Sequence, residues 1–185
     1  MGKLCNAKCR ELQAAMASLG ARLDSGDQSS LLVEVIPGKL MCGHRPLRRH
    51  HNPDFRGPGL RLPSAAAPAV QGWISKVCAY GIRSIICLMG PKEIAHYVAV
   101  CTELGVSTLI ELYEKNGLTV RSIPWEDPLY RAGQGGISYE EQLLDVRGRA
   151  LQAFDELAAP VLLHCSSGIQ RSAPVAAFIY SLRST

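Results

Sequence analysis

Val161-Leu162-Leu163-His164-Cys165-Ser166-Ser167-Gly168-Ile169-Gln170-Arg171-Ser172 is the stretch on which the fold turns. Its apolar start reads as a short buried strand. Small residues come next, and from Ser172 to about Ser181 the pattern becomes helical, with Pro174 in the first turn, where its missing N–H costs nothing. A strand that passes through a tight loop straight into a helix is half of a parallel β–α unit. Ser166, Ser167 and Gly168 are small enough for the loop to curl until several backbone N–H groups converge on one point. Ile169 and Gln170 continue that cradle, and the helix start adds partial positive charge. Arg171 then supplies a planar fork that can hold two oxygens of a tetrahedral dianion. The same donors and cation favour a thiolate at Cys165, and Ser172 can donate to the sulfur. His164 reads as a residue that orders the loop from beside it rather than as a base.

Spacing alone does not single out this loop. Seven Cys and 14 Arg in 185 residues make one Cys with Arg six positions later an ordinary coincidence, and Cys42 with Arg48 repeats it. The residues after Cys42 are of another kind. Pro46, Arg49, His50, His51 and Pro53 neither present successive N–H groups nor lead into a helix.

Outward from the loop, strands alternate with helices. Leu31 to Ile36, the turn Pro37-Gly38 and Lys39 to Cys42 read as a hairpin. Residues 44–63 hold five Arg, three His and four Pro against the single acid Asp54, and read as a long basic loop, solvated and partly disordered, that can also recruit an acidic or phosphorylated partner. A helix from Ala66 to Tyr80 feeds a strand Ile82 to Leu88. Lys92 to Leu104 reads as one helix, and Thr108 with Glu111 caps another that stops at Asn116-Gly117. Leu118 to Ile123 is the next strand. Ser138 with Glu141 opens a helix whose apolar positions are Leu143, Leu144, Leu151, Phe154 and Leu157, before Val161 to Leu163. The pattern gives an α/β fold with a central, mainly parallel sheet flanked by helices. Residues 1–30, with a helix over 4–20 and the polar run Asp24 to Ser30, form a partly flexible N-terminal segment, and 31–185 the main domain.

The bulk numbers narrow the class. One well-filled core suits this length, and a net charge of +4 suits an anionic substrate but falls short of a nucleic-acid-binding domain. Seven scattered cysteines without zinc spacing argue against a disulfide framework or a metal site, and fit a reducing cytoplasm or nucleus. No stretch approaches a membrane span. Met1-Gly2 with Cys5 invites lipidation, but Asn6 stands where that motif wants Ser or Thr. His50 and His51 are adjacent rather than spaced for a metal, and Cys5 with Cys9 has no further ligand nearby.

The His164-Cys165 pair, the five residues to Arg171 and the adjoining Ser172 resemble the signature of the protein tyrosine phosphatase superfamily, and most of all its dual-specificity branch. The similarity runs from about Val35 to Tyr180, through Ile36-Pro37-Gly38-Lys39-Leu40, Tyr80-Gly81-Ile82 and the approach to Ile123-Pro124. Within that branch, Leu112-Tyr113, Gly117 and the run Pro124 to Asp127 are most similar to the kinase-associated phosphatase type. The resemblance implies a cysteine-phosphatase fold, Cys165 as nucleophile, Arg171 as phosphate clamp, and Ser166 to Gln170 as the phosphate cradle. It implies a phosphorylated protein as substrate, such as a phosphothreonine of a cyclin-dependent kinase, a role in the cell cycle, and no metal or cofactor. Such an enzyme needs an acid over the leaving group, and Asp127 stands where the family places it, with Glu126 as competitor. Gly133, Gly135 and Gly136 can let that loop move. Relatives add one or two helices beyond the helix that leaves the loop. The chain therefore reads as C-terminally truncated, with Val175, Phe178 and Ile179 expected to be exposed. Cys87 is a candidate oxidation partner for Cys165. Two other readings stand beside this one: a catalytically weak phosphoprotein-binding scaffold, and a phosphoinositide or RNA 5′-triphosphate phosphatase. The loop lacks the lysines expected for a phosphoinositide.

Overall fold

A computed structural model of the chain describes residues 6–57, 59–127 and 138–184. The hairpin β1 (Leu32–Ile36) and β2 (Leu40–Gly43) pairs antiparallel around Gly38, which takes φ 65°. β3 (Ser84–Met89), β4 (Thr119–Trp125) and β5 (Val161–His164) complete a five-stranded sheet of order β1-β2-β5-β3-β4, parallel from β2 to β4. The expected mainly parallel α/β sheet is therefore present.

Chain direction explains where the helices lie. From β2 through α2 (Ala67–Ala79) to β3, and from β3 through α3 (Pro91–Ile94), α4 (Val98–Glu103) and α5 (Leu109–Lys115) to β4, the chain advances one way across the sheet. From β4 through α6 (Tyr139–Glu156) it returns to β5, so a right-handed crossover puts α6 on the opposite face. There α6 packs against α7 (Ser172–Arg183), and α7 against α1 (Ala7–Asp24). The chain leaves β3 and β5 toward opposite faces, which opens a crevice at the carboxyl end of β5 where the Cys165 loop begins.

Several elements differ from expectation for identifiable reasons. α1 passes through Gly20 to Asp24, because Leu23 completes the buried stripe of Cys9, Leu12, Met16 and Leu19, while Gly26 at φ 93° supplies the stop. This helix contributes to the core and packs on α7 and β1. It also covers α7: Val175 and Ile179 are fully buried, and only Phe178 of the expected exposed trio keeps partial exposure, beneath the guanidinium of Arg147. The helix read as Lys92 to Leu104 is broken into α3, a 3-10 turn at Ala95–Tyr97 and α4. The break lets Glu93 turn toward the sheet ends while the Tyr97 hydroxyl donates to Pro46 O (2.6 Å). On α6 the buried face is Leu143, Val146, Ala150 and Ala153, and Leu144 is exposed.

Cys9 is disulfide-bonded, one cross-link where free thiols were expected, whereas Cys42, Cys78, Cys87, Cys101 and Cys165 are free. Among the described residues no helix is long and apolar enough to cross a membrane, and no cluster of His, Cys, Asp and Glu suits a metal ion. Met1, Gly2 and Cys5 lie outside the described residues, as do Gly133, Gly135 and Gly136.

Candidate functional site

β5 is fully buried and delivers Cys165, 1% exposed, to the mouth of the crevice. The loop then turns at Gly168, whose φ of 70° belongs to the left-handed region, so that its N–H donates to Cys165 Sγ at 3.2 Å. Glycine is required here for a second reason. A Cβ on residue 168 would collide with Met16 Cε and stand 3.0 Å from Gly43 O. Among the described residues the N–H groups of Ser166, Ser167, Ile169 and Gln170 make no hydrogen bond, which leaves them available to an anion. Ser172, at the start of α7, is fully buried with its hydroxyl unpartnered, so the expected donation to the sulfur is not formed.

Arg171 is 1% exposed and occupies the splayed ends of β3 and β4. Pairing of those strands slips between Cys87 and Met89, and Arg171 Nη1 donates to the carbonyls of Leu88 (3.2 Å) and Trp125 (2.6 Å). Its two outer nitrogens grip both oxygens of Glu93, at 2.6 and 2.7 Å, and Nη2 reaches Asp127 Oδ2 at 2.9 Å. Burial alone would lower the Arg171 pKa, but Cys165, Glu93 and Asp127 overcome it and raise the value. Sequence reasoning misses Glu93. The signal it leaves is Gly90-Pro91-Lys92-Glu93 directly after a buried strand, a helix start with Pro at its first position and an acid two residues on. Glu93 closes the turn by accepting from Gly90 N–H at 3.1 Å.

The two candidate acids part company. Asp127 meets Arg171, while the Glu126 carboxylate lies against Gly90, within 2.6 to 2.9 Å of where a Cβ would sit there, with Oε2 buried and unpartnered. Only Asp127 is brought to the clamp.

His164 stays behind the loop. Its Nδ1 lies 3.3 Å from Cys165 O, which can only accept, so Nδ1 carries the proton and Nε2 accepts from the Tyr113 hydroxyl at 3.3 Å. Burial, opposed by the bond to Cys165 O and reinforced by Arg171 and Arg45, pulls its pKa to about 4. A neutral, fully buried imidazole suits the ordering role.

The segment after β2 forms the loop's second wall. Arg45, read as part of a solvated loop, is 1% exposed. Its backbone N–H donates to Ser166 O (3.1 Å), Nε to Ser166 Oγ (3.3 Å), Nη1 to the Tyr97 hydroxyl (2.8 Å) and Nη2 to Gly57 O (2.7 Å). A further wall comes from α1, where Met16 packs on Gly168 and Gln13 Nε2 donates to Ile169 O at 3.3 Å. In front, the Tyr139 hydroxyl donates to Gln170 O while its ring lies 5.3 Å from that of Trp125.

Cys42, the coincidental match, is a buried strand residue under the loop, its Sγ 4.0 Å from Gly168 O. Cys87 faces His164 across the sheet, one residue before Cys165, and burial raises its thiol to about 12. The chemistry available is thus a shielded sulfur beside open amides, with a carboxylate-held guanidinium and one further carboxylate at the same point. No protein-family model and no curated protein matches the chain.

Proposed function

We propose that this chain is a cysteine-dependent protein phosphatase of the dual-specificity kind, with the fold of the protein tyrosine phosphatase superfamily. The observation that carries this reading is the gathering of Cys165, Arg171 and Asp127 at the carboxyl ends of β3, β4 and β5, with Arg171 fixed from behind by Glu93. In this reading the substrate phosphate lies over Cys165, takes hydrogen bonds from the loop amides and from Arg171, and displaces Asp127 from the guanidinium. Cys165 sulfur attacks phosphorus in line with the ester oxygen. The S–P bond forms as the P–O bond breaks, and the leaving oxygen takes its proton from Asp127. Water then attacks the cysteinyl phosphate, giving its proton to Asp127, and inorganic phosphate and the thiolate are released.

A phosphorylated protein is the substrate class this favours, a cyclin-dependent kinase among them, in the cytoplasm or nucleus. Ser166, Ser167, Ile169 and Gln170 bring no cation for a polyphosphorylated ring, which weighs against a phosphoinositide. The test is phosphate release from phosphotyrosine and phosphothreonine peptides. Replacing Asp127→Ala is expected to lower kcat on the order of a hundredfold, and Glu126→Ala to leave it near wild type. The reverse ranking would reassign the acid. A phosphoprotein-binding scaffold, in contrast, retains peptides without releasing phosphate.

A further inference from the structure

After β2 the chain makes a tight turn over Arg45-Pro46-Leu47-Arg48, closed by Arg48 N–H donating to Arg45 O at 3.1 Å. Leu47 takes φ 55°, the only left-handed residue other than glycine among those described. For a leucine this conformation is strained, because its Cβ crowds the following carbonyl. It is held because the Leu47 side chain is buried and the preceding Pro46 carbonyl accepts from Tyr97.

The turn sends three guanidinium groups to three fates. Arg45 points inward and is consumed by Ser166, Tyr97 and Gly57. Arg49 points back to α1 and pairs with Asp24 through Nη1 at 2.7 Å, its Nε buried without a partner. Arg48 has neither a carboxylate nor a hydrogen-bond acceptor among the described residues, and its Nε is shut from solvent without a partner while the rest of the side chain remains partly exposed. Leaving such a donor unmet costs free energy, and its two cationic neighbours increase the cost. Burial, then Arg49 and Arg45, lower the Arg48 pKa, with Asp24 and Asp127 opposing. The turn fixes where this cation stands. Its first residue, Arg45, touches the phosphate loop through Ser166 O, and Arg48 N–H is bonded to the Arg45 carbonyl. A strained turn that leaves one arginine unsatisfied at the border of a phosphate site marks a place for a second anionic group.

We propose that Arg48 is a specificity residue that selects phosphopeptides carrying a second anionic group, carboxylate or phosphate, beside the phosphate to be removed. The inference rests on the phosphatase reading and adds the substrate class.

The test uses the full chain and three peptides that share one scissile phosphotyrosine: one with neutral neighbours, one with flanking glutamates, one with a neighbouring phosphoserine. The readout is the ratio of kcat/KM for each anionic peptide to that for the neutral one, with KM and kcat separated. Wild type is expected to favour the anionic peptides by about tenfold, through KM, at low salt and less at high salt. Arg48→Ala is expected to bring the ratio close to one, and Arg48→Lys to keep part of it. The two anionic peptides tell which source serves better. A ratio of one in wild type, or a ratio that survives Arg48→Ala, overturns the proposal while leaving the phosphatase reading intact. No phosphate release from any peptide by wild type ends both.

Discussion

At the residue scale, the arrangement around Arg171 accounts for most of the site's order. A guanidinium at 1% exposure would be untenable alone, and four partners meet it: Glu93, Asp127 and the carbonyls of Leu88 and Trp125. Glu93 makes the bidentate contact from a fixed turn, so it holds the fork in place, while Asp127 is the more exposed of the two carboxylate partners. Glu93→Gln should therefore destabilise the fold by about 3 kcal/mol, since it leaves a buried charge half-compensated. It should also weaken binding of vanadate, a phosphate mimic. Urea unfolding and vanadate titration check the two effects, and unchanged values in both would remove Glu93 from the account. How much of this was legible depends on the contacts each residue makes. Cys165 and Arg171 declared themselves through local context, and Asp127 through its resemblance to a family position. Glu93 and Arg45 did not, because each acts through a partner 78 or 121 positions away, and nothing in their own neighbourhoods specifies that partner.

At the element scale, the loop is held by helix α1 and by the end of β2 as much as by the strand and helix it joins. Met16 reaches up from α1 into the space left by the missing side chain of Gly168. Met16→Ala should cost about 2–4 kcal/mol through the cavity it opens. Gly168→Ala should cost about 3 kcal/mol, from left-handed strain and the clash with Met16. The two should couple: with Met16 already shortened, Gly168→Ala meets less obstruction, and the double variant should be more stable than the sum of the singles by about 1 kcal/mol. Thermal unfolding of the four proteins reads this directly, and strict additivity would refute the contact. The helical pattern of α1 was visible in the sequence. Its destination was not, since an amphipathic helix reports that it has a buried face and not what it buries. The expectation that Val175 and Ile179 stand exposed failed for the same reason: α1 covers α7 from the far end of the chain.

At the scale of the whole molecule, two imidazoles tie the fold to pH. Burial, ahead of the charge of Arg49, brings His44 to about 4, and burial brings His164 to about 4. A free imidazole titrates near 6.5, so between these values the unfolded chain binds protons that the folded chain refuses. Stability therefore rises with pH through this window and falls as pH drops through it. At pH 5 the two residues together should cost about 4 kcal/mol relative to pH 7.5. Denaturant unfolding at both pH values measures this, and His164→Asn should remove about 2 kcal/mol of the dependence. A pH-independent stability would mean that neither imidazole is held neutral.

The α/β class was readable because strand–helix alternation is a local pattern repeated along the chain. Strand order was not, since nothing in Val161 to Leu163 says that they insert between β2 and β3. That insertion places Cys165 at the divergence of the helices and Arg171 within reach of Glu93. Attack of Cys165 on phosphorus is the step on which the proposed activity stands or falls. Rapid acid quench of the protein turning over a phosphotyrosine peptide, with mass-spectrometric mapping of the quenched chain, tests it most directly. Phosphate is expected on Cys165 in wild type and none in Cys165→Ser. Phosphate release by wild type at full rate with Cys165 never modified, or equal turnover by Cys165→Ser, would contradict the account.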